Sequence, residues 1–462
     1  MIIEPLIDGS AAATKRLRLL EGRHAQGGSV ERDVVAIIAG VRRDGDRAVA
    51  RYTRKFDGVT LTADGFEVGR DEIAEALASL PASLRAALRA AHRRIVAFHK
   101  PQMARGYELR EGDTRNSVRV LPLARVGVYA PGGRAAYPST VLMNVVPARV
   151  AGVDEVVMAT PPGPGGKVEP SVLAAAAIAG VDRVFRVGGA QAIAALALGT
   201  DSIARVDKIV GPGNIYVATA KRLLFGQVDI DMIAGPTEVL IIADGSARAD
   251  YVAADMLAQA EHDPLAASVC ITSSRRTAAA VAKQLESQLA GLERRTIAAA
   301  SLKKYGSILV VKSLARAVEL ANEIAPEHLE VMTAAPRELL DGLRNAGAIF
   351  LGAMSSEPFG DYAAGPNHVL PTGGSARFAS PLGVYDFVKR SSIIDMGVGG
   401  VRAIGPTVLR LAEAEGLPAH AAAVRLRLDD IGEKPVAKKK PPAKKPAAKK
   451  KQRSGSGRKG GR

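Results

Sequence analysis

Val126-Gly127-Val128-Tyr129-Ala130, followed at once by Pro131-Gly132-Gly133, is the stretch on which the fold turns. A short apolar run rich in Val, closed by turn formers, reads as a buried strand. Glycines just past such a strand let backbone come close to a phosphate or a ribose. Similar runs recur downstream at Glu155-Val156-Val157-Met158, Arg183-Val184-Phe185-Arg186-Val187, Lys208-Ile209-Val210, Val239-Leu240-Ile241-Ile242, Ser268-Val269-Cys270-Ile271 and Ser307-Ile308-Leu309-Val310-Val311. Ala-rich helical segments separate them. Strands alternating with helices predict βαβ units and parallel sheets. The strands are too many for one small sheet, so two α/β lobes meeting near residues 235–245 are expected.

Outward from this centre the pattern changes. Val30 to Tyr52 and Arg70 to Phe98 carry apolar residues at helical spacing, and Pro101 ends the second stretch. Residues 381–433 read as helical again, with a helix over Pro406 to Glu415. From Lys434 the chain repeats Lys-Lys-Pro-Ala-like units and offers no apolar face to bury, which predicts disorder.

Composition narrows the class. The chain has 462 residues, 47% of them hydrophobic, enough for a large core and more than one domain. The net charge of +16 is concentrated in residues 434–462, whose ten lysines and three arginines meet no acid, leaving +3 on residues 1–433. One cysteine, Cys270, excludes an intramolecular disulfide and a thiolate metal cluster. Cys270 lies within an apolar strand, where a buried inert thiol is expected. The N-terminus lacks a secretory pattern, and the most apolar stretch, Val172 to Val181, is too short to span a bilayer. A cytoplasmic protein with no membrane association is expected.

Four constellations could carry chemistry. Gln259 follows Val252 and Met256 on one helical stripe, and His262 lies three residues on, so both can point into one site. From spacing alone a hydrogen-bonded helix terminus is the better explanation of that pair. Ala325-Pro326-Glu327-His328-Leu329-Glu330-Val331 joins a helix to a strand and sets two bases of different pKa side by side. Phe359 to Pro371 is a loop rich in polar groups, with Asp361, Asn367 and His368, and Glu415 to His420 follows a helix. Each of these last two has an equally good explanation as a turn. No Gly-x-Gly-x-x-Gly fingerprint occurs, but strands lead into Val187-Gly188-Gly189-Ala190-Gln191 and Gly211-Pro212-Gly213-Asn214.

Taken together and in order, Val126 to Gly133, Val187 to Ala194, Val210 to Tyr216, Ala234 to Glu238, Ala258 to Pro264, Pro326 to Leu329 and Gly360 to Thr372 closely resemble the histidinol dehydrogenase family. The resemblance runs from the N-terminus to about residue 433. It implies two incomplete Rossmann-like lobes with helical N- and C-terminal extensions. It implies an NAD-linked, four-electron oxidation of L-histidinol to L-histidine through bound histidinal, with one zinc per subunit. By that resemblance Gln259, His262, Asp361 and His420 hold zinc, and Glu327 and His328 are the catalytic bases. Thr237, Glu415 and His420 join Gln259, His262, His328 and Asp361 around the substrate. Tyr129, Gln191 and Asn214 contact the dinucleotide.

The family forms an intertwined homodimer in which the C-terminal segment completes the partner's site. The organisation expected is 1–105 helical, 106–238 first lobe, 239–380 second lobe, 381–433 a helical dimerisation segment and 434–462 a disordered tail. Two features depart from the family: Thr stands at position 237 where Ser is common, and the basic tail is generally absent. The tail, lacking aromatics, suits non-specific attachment to nucleic acid, an anionic surface, or no partner at all. Two rival readings stand beside the dehydrogenase. One is a nucleic-acid-binding protein with a vestigial enzyme body. The other is a related dehydrogenase for another amino alcohol or polyol.

Overall fold

The computed structural model describes residues 2–24, 28–132 and 137–433; Gly133 and the basic tail lie outside them. In chain order the strands are β1 (Leu6–Ile7), β2 (Tyr107–Glu111), β3 (Thr114–Pro122), β4 (Arg125–Tyr129), β5 (Glu155–Ala159), β6 (Arg183–Phe185) and β7 (Lys208–Val210). They continue with β8 (Asp229–Ile230), β9 (Glu238–Ala243), β10 (Ala267–Thr272), β11 (Ser307–Val310), β12 (His328–Met332), β13 (Ala348–Leu351) and β14 (Val388–Asp395). The chain divides into two compact units: Met1–Arg105 with Val120–Ser391, and Gly106–Arg119 with the chain from Ser392 onward.

The first unit holds two parallel sheets, as the alternation of strands and helices predicts. One has the order β6-β5-β4-β7-β8, the other β1-β11-β10-β9-β12-β13. All seven quoted apolar runs form strands in them. Both faces of each sheet are covered, which explains why these strands read as nearly continuous apolar runs. In the five-stranded sheet Val126, Val128, Val156 and Met158 face one core, shared with the helices Pro138–Ala151 and Pro170–Ala179. Tyr129, Val157, Phe185 and Ile209 face the other, shared with Gly28–Asp44, Gly189–Leu198 and Ile215–Leu224. The six-stranded sheet is sandwiched likewise, with Ile241, Cys270 and Ile308 on one side and Leu240, Ile271 and Val331 on the other.

Each sheet reverses direction beside its first strand. The chain runs outward from β4 through β5 to β6, then returns to place β7 on the other flank of β4. It runs from β9 through β10 to β11, then returns to place β12 beside β9. Such reversals open a crevice between the flanking connections.

The N-terminal residues are not solely helical. Leu6 and Ile7 pair with Leu309 and Val310, adding an edge strand to the second sheet. Residues 388–395 depart from the helical reading of 381–433, forming β14 beside β3. In the second unit β2 and β3 form an antiparallel hairpin, and the helices Val398–Ala414 and Pro418–Glu433 pack together, Gly405 against Leu428. No helix among the described residues is long and apolar enough to cross a membrane.

Candidate active site

Glu238 opens β9 and His328 opens β12, so the residues before them lie at the amino ends of two adjacent strands. Gln259 reaches the same place because the helix Ala249–Ala260 runs back toward that end of the sheet. Val252, Met256 and Gln259 are all fully buried, so the amide does occupy a core-facing position. Ala325, in a left-handed conformation at φ 52°, ends the preceding helix and turns the chain into β12.

The His328 imidazole is buried and oriented. Its Nδ1 lies 3.1 Å from the Glu238 carbonyl oxygen, which can only accept, so Nδ1 carries the proton. Nε2 makes no hydrogen bond and stands 3.6 Å from Asp361 Oδ1. Burial opposes charge on this ring, but the carboxylates of Glu357, Glu327 and Asp361 outweigh it and hold its pKa well above the ordinary value. Burial raises the Glu327 carboxyl, against the pull of His328. Glu327 Oε2 accepts from Thr237 Oγ1 at 2.5 Å and from Glu238 N at 3.0 Å.

These bonds orient Gln259. Thr237 spends its proton on Glu327, so its oxygen accepts from Gln259 Nε2 at 2.5 Å. Gln259 Oε1 then faces the Glu357 carboxylate oxygens at 2.5 and 2.6 Å. Turning the amide over would satisfy Glu357 directly, but would ask Thr237 and Glu238 N to donate to a second acceptor. Oxygens converging in this way are reconciled by a proton or a cation between them. His262, Glu357 and Asp361 offer ligand atoms within 4.8 Å of one another beside this amide. An imidazole, carboxylates and an amide oxygen suit a borderline-to-hard divalent ion such as zinc. Beside the cluster a cavity of about 1040 Å³ is lined by His328, Phe350, Asp361, Asn367 and His368.

A second cavity, of about 840 Å³, lies at the carboxyl ends of the five-stranded sheet and brings Tyr129, Gln191 and Asn214 together. Gly189 N donates to the Tyr129 hydroxyl at 3.0 Å. Asn214 Oδ1 caps the helix Ile215–Leu224, accepting from Tyr216 N and Val217 N. Both polar atoms of the Gln191 amide are buried without a partner.

A family model described as histidinol dehydrogenase matches residues 21–428. The chain belongs to the histidinol dehydrogenase family. Histidinol dehydrogenase of Aquifex aeolicus is 56% identical over 400 residues, 87% of this chain and 93% of that one. That of Geobacter sulfurreducens is 53% identical over 406 residues, 87% of this chain and 94% of that one. A crystal structure of histidinol dehydrogenase from Elizabethkingia anophelis superposes with a TM-score of 0.88 at 34% identity, covering 94% of this chain and 99% of that one.

For a histidinol dehydrogenase family member the site residues named from sequence fall into three places. Thr237, Gln259, His262, Glu327, His328 and Asp361 come together at the second sheet, and Tyr129, Gln191 and Asn214 at the first. Glu415 and His420 belong to the second unit, where both are exposed around the turn between its helices. Sequence reasoning missed Glu357, although it lies four residues before Asp361 on the helix Glu357–Tyr362, a spacing that stacks side chains on one face. It also missed the buried acids Asp255 and Glu330 behind it, both raised by burial. Cys270 is buried in β10, and burial pushes its thiol up to about 12, the mark of an unreactive thiol.

Proposed function

We propose that this chain oxidises L-histidinol to L-histidine in two NAD-linked steps, the last steps of histidine biosynthesis in the cytoplasm. The observation that carries this reading is the unpartnered His328 Nε2, facing a donor set fit for zinc and flanked by Glu327. Gln259, His262 and Asp361 would hold the metal, with His420 as fourth ligand. Zinc, when bound, anchors the substrate's imidazole and amine and offsets the charge of the surrounding carboxylates.

In the first step His328 Nε2 takes the alcohol proton while hydride leaves the carbinol carbon for NAD. The Glu238 carbonyl keeps Nδ1 protonated, so Nε2 is the nitrogen that would act once a bound metal offsets the carboxylates that hold this ring's pKa up. The aldehyde stays bound. Glu327, buried and steadied by Thr237, then deprotonates the water that adds to it. His328, its first proton released to solvent, takes the hydrate's proton during the second hydride transfer. The inert Cys270 suits a route through a hydrate rather than a thiohemiacetal. Tyr129, Gln191 and Asn214 would line the dinucleotide cavity. Glu415 and His420 would act across a homodimer, each completing the partner's site.

The test is NADH production from L-histidinol by zinc-replete and chelator-stripped protein side by side. Two NADH per histidine, lost on stripping and restored by zinc, are expected. A zinc-loaded protein that turns over another amino alcohol but not histidinol would overturn the substrate assignment.

A further inference from the structure

The cavity at the carboxyl ends of β4 to β7 contains a charged group that no part of the reading above uses. Asp57 is the last residue of the helix Asp46–Asp57, and it lines the cavity with Phe56, Tyr129 and Gln191. No described residue hydrogen-bonds its carboxylate, and Oδ2 is fully enclosed without a partner. Its position is unfavourable twice over. Burial pushes the carboxyl up to about 6, and the C-terminal end of a helix carries partial negative charge. Its charge also reaches the buried Tyr129 phenol, which burial and Asp57 together push up to about 12.

A carboxylate kept in such a place is an acceptor waiting for donors. The neighbouring Gln191 amide, buried and unpartnered, is in the same condition. Two oxygens on one carbon match the spacing of a vicinal diol, and the sugar hydroxyls of a dinucleotide are such donors. The cavity sits where an open parallel sheet reverses, the place at which nucleotides are held in such folds. Lys167, an exposed side chain, is the one cation among the described residues lining it.

Resting on the dinucleotide reading of this cavity, we propose that the Asp57 carboxylate accepts hydrogen bonds from the ribose hydroxyls of NAD and excludes the 2′-phosphate of NADP. A phosphomonoester carries between one and two negative charges at neutral pH. Placed against Asp57 it would lose a hydroxyl donor and meet like charge in a half-enclosed site, where screening is weak.

Calorimetric titration of the zinc-loaded full chain with NAD and with NADP tests this without relying on turnover. The unmodified chain should bind NAD at least tenfold more tightly, and equal affinity overturns the proposal. Asp57→Asn should weaken NAD roughly tenfold and narrow the NAD-to-NADP ratio by a similar factor, since a hydrogen bond to a charged group is lost. Asp57→Glu, which keeps the charge, should keep the rejection of NADP. An unchanged ratio in Asp57→Asn overturns the assignment. Gln191→Ala separates the two levels. If it weakens NAD while the Asp57→Asn ratio is unmoved, the cavity reading stands and the role of Asp57 falls. If neither variant alters NAD binding, the cavity reading falls and this proposal with it.

Discussion

The two nitrogens of His328 are bound to different tasks by one backbone carbonyl. Because Glu238 O holds Nδ1–H, the proposed proton transfer by this ring would fall to Nε2. Glu327 shares the strand end but faces Thr237 and the Glu238 amide instead. This division predicts separable effects. Glu327→Gln should spare oxidation of the alcohol to the aldehyde and slow oxidation of the aldehyde, read by single-turnover NADH formation from each. Equal loss of both steps would defeat the division. A second prediction concerns Asp57. Its folded pKa of about 6 lies above the ordinary carboxyl value of 3.8, so the folded chain holds the proton more tightly. The contribution of Asp57 to stability therefore falls as pH rises from about 4 to about 6 and is flat beyond. Asp57→Asn removes that fall, so its melting temperature without nucleotide should exceed the unmodified chain's by little at pH 4 and by most above pH 6. A constant difference across that window would refute the assignment of the shift to Asp57.

At the scale of the element, the two sheets use opposite ends. The first sheet places its cavity beyond the carboxyl ends of its strands, as open parallel sheets ordinarily do. The second gathers Thr237, Glu238, Glu327 and His328 at the amino ends, where helix-to-strand connections arrive. Those connections are held by buried ion pairs. Arg23 pairs with Glu238 and also donates to the carbonyls of Pro236, Thr237 and Leu265. In the first sheet Lys221 and Asp231, 2% and 1% exposed, clamp the turn ahead of Asn214. Asp231 Oδ2 accepts from Gly211 N at 2.7 Å, and Lys221 Nζ donates to Gly211 O at 3.0 Å. Gly211, at φ 109°, has no room for a β-carbon against the Tyr129 carbonyl. Lys221→Met leaves Asp231 buried and unpaired, so a loss of about 3–5 kcal/mol is expected in urea unfolding. A loss below about 1 kcal/mol would mean that the clamp is dispensable.

At the scale of the whole molecule, the chain divides into an α/β body and a smaller unit carrying Glu415 and His420, and its sequence concentrates basic residues from Lys434 onward. Of the net charge of +16, residues 434–462 carry +13. Deleting residues 434–462 should leave turnover of histidinol unchanged and abolish any salt-sensitive retention on a polyanion column. Loss of turnover on deletion would contradict the separation of tail from enzyme.

Much of this was legible in the chain. Apolar runs broken by glycine record strands buried on both faces, and every quoted run became a strand of a parallel sheet. Local motifs record local chemistry: Glu327 beside His328, and Gln259 three residues before His262, are adjacent by spacing alone. Periodicity reports which face of an element is buried, not which distant element meets it. It therefore could not tell that Leu6–Ile7 would extend the second sheet, or that β14 would pair with β3. Nor could it name Glu357 and Asp57, whose importance comes from what surrounds them rather than from their neighbours in sequence. The candidate residues quoted from the motifs and their spacing were determined along the chain. The nitrogen of His328 that is free to act, the end of each sheet that carries a site, and the carboxylates left without partners were decided by tertiary structure, because hydrogen bonding and burial are set by contacts that chain order does not encode.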